Sequence, residues 1–243
     1  MAFTLTAHAV TDRGLYRERN QDALAVDGWF NQSDHGALTS MRIAIEHPTV
    51  LAVADGVGGQ LAGDVASRIA LMEMVSTKEQ WVSHENVAAC LQAINDRISV
   101  VADNANLAGM ATTIAGIGIS ADSVIAFNIG DSRVYTCAEG RPLEQVSEDD
   151  VVRDSFGKPT HMITQCLGRR DEPPVPHITE FNLEPMRVVV CSDGIHGVID
   201  DRTMNAACED LGGADCARFL AETAVNRGTR DNYSLIVVDI ASG

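Results

Sequence analysis

The sequence predicts an α+β fold: a four-layer α-β-β-α sandwich with two central antiparallel sheets flanked by helices. Three observations carry this. Strand-like runs cluster apart from helix-like runs instead of alternating with them, which argues against βαβ units. Adjacent strand candidates are joined by short turns, as antiparallel neighbours are. The two longest helical stretches each carry one apolar stripe, so each has a face to bury against a sheet.

Taken in order, Thr4–Val10 alternates polar and apolar residues as a half-buried strand does, and Ala23–Val26 follows a turn as a second strand. A polar loop over Asn31–Ser40 leads to strands at Arg42–Glu46 and Val50–Ala54, with Pro48 turning the chain between them. Ala62–Lys78 reads as a helix because Val65, Ile69, Met72 and Val75 share one stripe. Glu85–Asn104 does so through Val87, Leu91, Ile94, Ile98 and Val101. Strands follow at Thr112–Ile119, Ser123–Ile129, Arg133–Cys137 and Leu143–Val146, with a Glu139-Gly140 turn before the last. Ser147–Pro176 reads as irregular, ending in the Pro-rich turn Asp171–Pro176. Strands resume at His177–Leu183 and Arg187–Cys191, helices at Asp201–Glu209 and Ala214–Asn226, and a final strand at Ser234–Ile240. No Pro/Gly/Ser-rich stretch, charge run or repeat divides the chain, so residues 1–243 are expected to form a single domain.

Composition excludes several partners. A formal charge of −16 disfavours nucleic acid and anionic membranes. No apolar run approaches the ~20 residues a membrane span needs, and the N-terminal residues have no basic start or long apolar run of a signal peptide. The six cysteines form no Cys-x-x-Cys pair, and most sit in apolar runs such as Val188–Cys191. Reduced, buried thiols in a cytoplasmic protein are expected.

Four aspartates share one setting. Asp55 ends the run Val50–Ala54 and begins Asp-Gly-Val-Gly-Gly. Asp131 follows Val124–Ile129 in Gly-Asp-Ser-Arg. Asp193 follows Val188–Cys191 in Cys-Ser-Asp-Gly, and Asp231 precedes the final strand in Arg-Asp-Asn. Each alone is an ordinary turn former. Four carboxylates at strand ends are fixed by the sheet yet open to a ligand; gathered at one rim they make an all-oxygen site suited to magnesium or manganese. Gly58 and Gly59 are expected to let the backbone approach that site, and Thr112-Thr113 to support it from a central strand. His8 and His196 read as packing or hydrogen-bonding residues.

With these motifs in hand, the chain resembles the type 2C metal-dependent serine/threonine protein phosphatases, especially the bacterial ones, from about residue 10 to residue 240. The matching segments, in the family's order, are Thr11–Asp22, Val53–Gly59, Gly109–Thr113, Asn128–Arg133, Ser192–Gly194 and Asp231–Ser234. The resemblance implies hydrolysis of phosphoserine and phosphothreonine by a metal-activated water, opposing a bacterial Ser/Thr kinase. It implies two core Mn2+ or Mg2+ ions and a third in some members. Asp55 would bridge the core pair with the Gly56 carbonyl, and Asp193 and Asp231 would complete the first ion's shell. Asp22 would act from the outer shell. Asp131, with Asp193, would hold the third ion, and Arg17 would take the substrate phosphate through its two parallel donors. Phosphorylated proteins, a kinase or its targets, are the implied partners. The absence of tails or heptads makes a monomer the default expectation. The compact length and short flap are also similar to phosphatases encoded beside type VI secretion kinases.

The sequence departs from the family's pattern in three places. Gln21 stands where the family usually has Glu. Val57 stands where eukaryotic members carry a histidine proposed as leaving-group acid. The flap-like segment of about 147–167 is short and lacks a helical pattern. Other chemistries lack their parts: no cysteine is followed six residues later by arginine, and no Gly-x-Ser-x-Gly or P-loop motif occurs. Two rivals remain open to test: a catalytically silent binding relative and a two-metal nuclease.

Overall fold

The computed structural model describes residues 3–57, 62–105, 107, 109–138 and 140–242. Strands β1 (Phe3–Asp12), β2 (Ala23–Val26), β3 (Trp29–Asn31), β4 (Thr39–Ala44), β5 (Thr49–Ala54) and β6 (Gly56–Val57) lead into helices α1 (Gly63–Ser76) and α2 (His84–Ala105). Next come β7 (Ala111–Thr112), β8 (Ile114–Ile119), β9 (Ser123–Ile129), β10 (Arg133–Ala138) and β11 (Glu144–Gln145). A hairpin of β12 (Val151–Arg153) and β13 (Pro159–Ile163) precedes β14 (His177–Asn182) and β15 (Met186–Cys191). Helices α3 (Asp193–His196), α4 (Asp201–Asp210) and α5 (Gly213–Asn226) and strand β16 (Tyr233–Ser242) complete the chain.

Two six-stranded sheets form, in the orders β11-β10-β15-β16-β1-β4 and β14-β9-β8-β5-β2-β3, every pairing antiparallel. Three apolar clusters explain the layering. Leu51 and Val53 of β5 pack between the sheets with Leu5, Ala7, Val188 and Ile236. Val50, Ala52 and Ala54 point the other way, onto Ala66, Leu71 and Met74 of α1 and Leu91 and Ile94 of α2. On the outer face of the first sheet, Val189, Leu235 and Val237 meet Met204 of α4 and Cys216 and Leu220 of α5. Strands covered on both faces therefore read as unbroken apolar runs, whereas edge strand β4 alternates in exposure. Asp200 caps α4 by accepting the Thr203 amide at 2.9 Å.

Three expectations need correction. Ser147–Pro176 is not wholly irregular: β12 and β13 pair across a turn in which Gly157 takes φ 78° and Asp154 accepts the Phe156 and Lys158 amides. Most of this hairpin's side chains face solvent, so it has no alternating apolar signal. The predicted strand Thr112–Ile119 is broken at Thr113, where the backbone turns to serve Asp55. The polar loop Asn31–Ser40 is nibbled at both ends by β3 and β4. Among the described residues no helix is long and apolar enough to cross a membrane.

Candidate metal centre

The ends of both sheets meet at a pocket of about 170 Å³ whose wall includes Arg17, Asp55, Gly56, Asp131, Asp193 and Asp231. Of the expected metal ligands, Asp22 stands behind the wall, fully buried. Gly58 and Gly59 lie outside the described residues.

Backbone and hydroxyl groups hold the Asp55 turn and the Asp22 side chain. The Asp55 amide donates to Thr113 Oγ1 at 3.2 Å, while its carbonyl accepts from Thr112 Oγ1 and the Thr113 amide, both at 2.8 Å. Thr113 Oγ1 in turn contacts Ser132 Oγ at 2.8 Å, tying the Asp55 turn to the Asp131 turn. Asp22 Oδ2 accepts from Ser192 Oγ at 2.7 Å, and that oxygen accepts the Ser234 amide at 2.9 Å. Asn232 binds the turn after β1 to the start of β16: its Oδ1 accepts the Gln21 amide at 2.9 Å, and its Nδ2 donates to Arg13 O and Arg19 O at 2.8 and 3.0 Å. Close backbone packing explains two glycines. A Cβ on Gly194 would collide with the Asn232 carbonyl, and one on Gly56 with the Gly63 backbone.

The electrostatics are those of a site short of positive charge. Burial, with neighbouring carboxylates adding to it, pushes Asp55 well above the usual carboxylate range and Asp22 and Asp131 up to about 7. Asp193 is also raised, first by burial and then by Asp231. Asp22 Oδ1 and Asp193 Oδ1 are buried without any hydrogen-bond partner. Arg17 partly relieves the strain: its Nη2 donates to Asp231 Oδ2 at 2.6 Å, which raises the guanidinium's own pKa. Among the described residues no three acidic, His or Cys side chains converge on one point as a ready ligand set. The donor chemistry nonetheless fits hard divalent cations: all oxygen, two orphaned oxygens, and like charges that repel until a cation arrives.

Sequence reasoning missed three contributors. Ser192 and its hydroxyl relay gave no signal beyond the Ser-Asp-Gly motif. The pairing of Arg17 with Asp231 joins residues more than two hundred positions apart. His161, on β13, brings an imidazole to the pocket wall beside Ile163 and Val57; it sits in the segment read as irregular. His196 behaves as expected, its Nε2 lying 2.9 Å from the Asp131 carbonyl. Burial and the nearby Arg133 lower it to about 4. His8 Nδ1 lies 2.7 Å from Ser40 Oγ.

Comparison with known proteins places this geometry. The family description Protein phosphatase 2C matches residues 18–232. The serine/threonine protein phosphatase PstP of Mycobacterium tuberculosis is 27% identical over 249 residues, covering 96% of this chain. The chain spans only 44% of that relative's length. The serine/threonine phosphatase stp of Listeria monocytogenes is 26% identical over 251 residues, covering 94% of this chain and 93% of its own. The crystal structure of the PstP catalytic domain in complex with two manganese ions superposes with a TM-score of 0.78 at 26% identity, covering 99% of this chain and 100% of that one. With a family match over most of its length and an acidic pocket at its sheet ends, the chain belongs to the protein phosphatase 2C family.

Proposed function

We propose that the chain is a metal-dependent phosphoprotein phosphatase hydrolysing phosphoserine and phosphothreonine in the cytoplasm, as a monomer opposing a Ser/Thr kinase. The observation that carries this reading is the set of buried, mutually repelling carboxylates around one small pocket with a single guanidinium at its edge.

Asp55, the Gly56 carbonyl, Asp193 and Asp231 would hold the core pair of Mn2+ or Mg2+ ions, Asp22 would act through water from behind, and Asp131 with Asp193 would hold a third. When bound, such ions lower the pKa of a water and offset charge on the phosphoryl oxygens. Arg17 is paired with Asp231; with Asp231 serving as a cation ligand, the guanidinium would be free to offer two parallel N–H donors to a phosphate. Thr112, Thr113 and Ser132 hold the Asp55 and Asp131 turns in fixed relation, so the ligands lose little entropy on binding. The departing seryl or threonyl oxygen needs a proton. Val57 has none to give, and the His161 imidazole is the wall side chain able to carry one on a ring nitrogen.

The test is a manganese and magnesium titration of turnover on a phosphothreonine peptide, with chelator and metal-restoration arms and a parallel assay on DNA and RNA. Activity that vanishes in chelator and returns with metal supports the reading. Full activity in chelator with no metal in the protein would sink it, and metal-dependent nucleic-acid cleavage without peptide turnover would favour a nuclease.

A further inference from the structure

At the end of β10, β15 and β16 opposite the acidic pocket, three thiols gather. Cys208 in α4 and Cys216 in α5 face one another with their sulfurs 3.9 Å apart. Cys216 is fully enclosed and Cys208 is 5% exposed. Cys208 and the half-buried Cys137 line a surface cleft of about 520 Å³ that also contains Arg187 and Asp239. Arg187 fixes the pair's surroundings: its Nη1 donates to the carbonyls of Cys208 and Leu211, both at 2.7 Å, while its Nε donates to Asp239 Oδ1 at 2.7 Å. The end of α4 and the turn into α5 are thereby pinned to the sheet, and the two sulfurs stay neighbours.

We propose that Cys208 and Cys216 form a dithiol modification site that closes to an intramolecular disulfide when a small peroxide enters by the cleft shared with Cys137. The geometry sets the order of events. Cys208 lines the cleft, so a peroxide entering there meets its sulfur first, and Cys216, enclosed behind it, is placed to resolve the product. The Arg187 guanidinium in the same cleft favours a thiolate on either sulfur.

The chemistry balances. The Cys208 thiolate attacks a peroxide oxygen, breaking the O–O bond and releasing hydroxide, which takes up a proton to become water; the sulfur becomes a sulfenic acid. The Cys216 sulfur then attacks that sulfenic sulfur, loses its proton, and displaces a second water as the S–S bond forms. Two thiols are oxidised by one electron each and one peroxide is reduced to two waters. Bonding requires the sulfurs to close from 3.9 Å to ~2.05 Å. The cross-link spans only the turn between α4 and α5, so it leaves the acidic pocket alone.

The test uses the full-length, metal-loaded protein. It is treated with hydrogen peroxide under conditions where its circular dichroism is unchanged, then alkylated, digested and mapped by mass spectrometry. The expected result is a Cys208–Cys216 cross-linked peptide, loss of two alkylatable thiols, and recovery of both with dithiothreitol. Cys137→Ser should still close the bridge, whereas Cys208→Ser and Cys216→Ser should not. If either serine variant fails to fold, the map of the parent protein decides alone. Alkylation of both Cys208 and Cys216 after peroxide has oxidised exposed methionines would overturn the proposal. So would a disulfide mapped to another pair, or a sulfonic acid at Cys208 without cross-link.

Discussion

Two groups of aspartates meet at the turn between β9 and β10, and their circumstances are opposite. Asp149 and Asp150 are saturated. Arg133 grips Asp149 through Nε at 2.9 Å and Nη2 at 2.6 Å, and Gln145 adds a third donor at 2.9 Å. Asp150 receives the Gly130 amide at 2.9 Å and Gln165 Nε2 at 2.6 Å, and His177 Nε2 lies 2.9 Å away. Asp22 and Asp131 are buried and Asp55 and Asp193 half-buried, but Asp22 Oδ1 and Asp193 Oδ1 have no partner and all four are pushed toward the neutral form. A buried carboxylate with all its donors is structural; one left short is asking for a cation. The saturated pair also serves the other group, since Asp150 holds the amide next to Asp131.

That contrast can be broken by substitution. The largest effect should come from Asp55→Ala, which removes the proposed bridging ligand: turnover on a phosphothreonine peptide should fall by ~10³-fold or more. Its unfolding midpoint in metal-free buffer should hold or rise, because a repelling charge is gone. Retention of parental turnover would show that Asp55 is not a ligand. Asp131→Ala should lose turnover by roughly 10² while isothermal titration still counts the two core ions; disappearance of that pair would remove the distinction between core and third site. Asp150→Ala should do the reverse of Asp55→Ala. It strands the Gly130 amide, Gln165 and His177, so urea unfolding should show a loss of about 2 kcal/mol with the number of bound ions unchanged. A stable Asp150→Ala that cannot bind metal would erase the comparison. The smallest effect belongs to Arg17→Ala, where loss of a charge-assisted contact should raise KM by about tenfold with metal affinity nearly intact. An equal fall in metal affinity would mark the arginine as structural.

Much of this was legible because burial writes itself into sequence. Val50–Ala54 and Val188–Cys191 are covered on both faces, and their unbroken apolar runs gave both the strands and the point where each aspartate emerges. The β12–β13 hairpin escaped because Val152, Phe156 and Met162 face solvent and nothing imposes alternation on it. His161 escaped with it. Thr113 escaped as a strand break because its role is set by Asp55, a partner 58 positions away, and no local pattern records a distant hydrogen bond. The same holds for Arg17, whose ion pair with Asp231 depends on tertiary closure alone.

That closure has a consequence for how the protein is made. Thr11 meets Ser234, and Asn232 reaches Arg13 and Arg19, across separations of 223, 219 and 213 residues. Strand β1 is paired along its whole length with β16. During synthesis the first strand therefore waits with one edge unclaimed until the last one leaves the ribosome, and the pocket has no floor before then. Such non-local pairing is slow and exposes an open strand edge meanwhile. A nascent chain that has not yet reached β16 therefore holds the acidic side chains without the strand that brings them together.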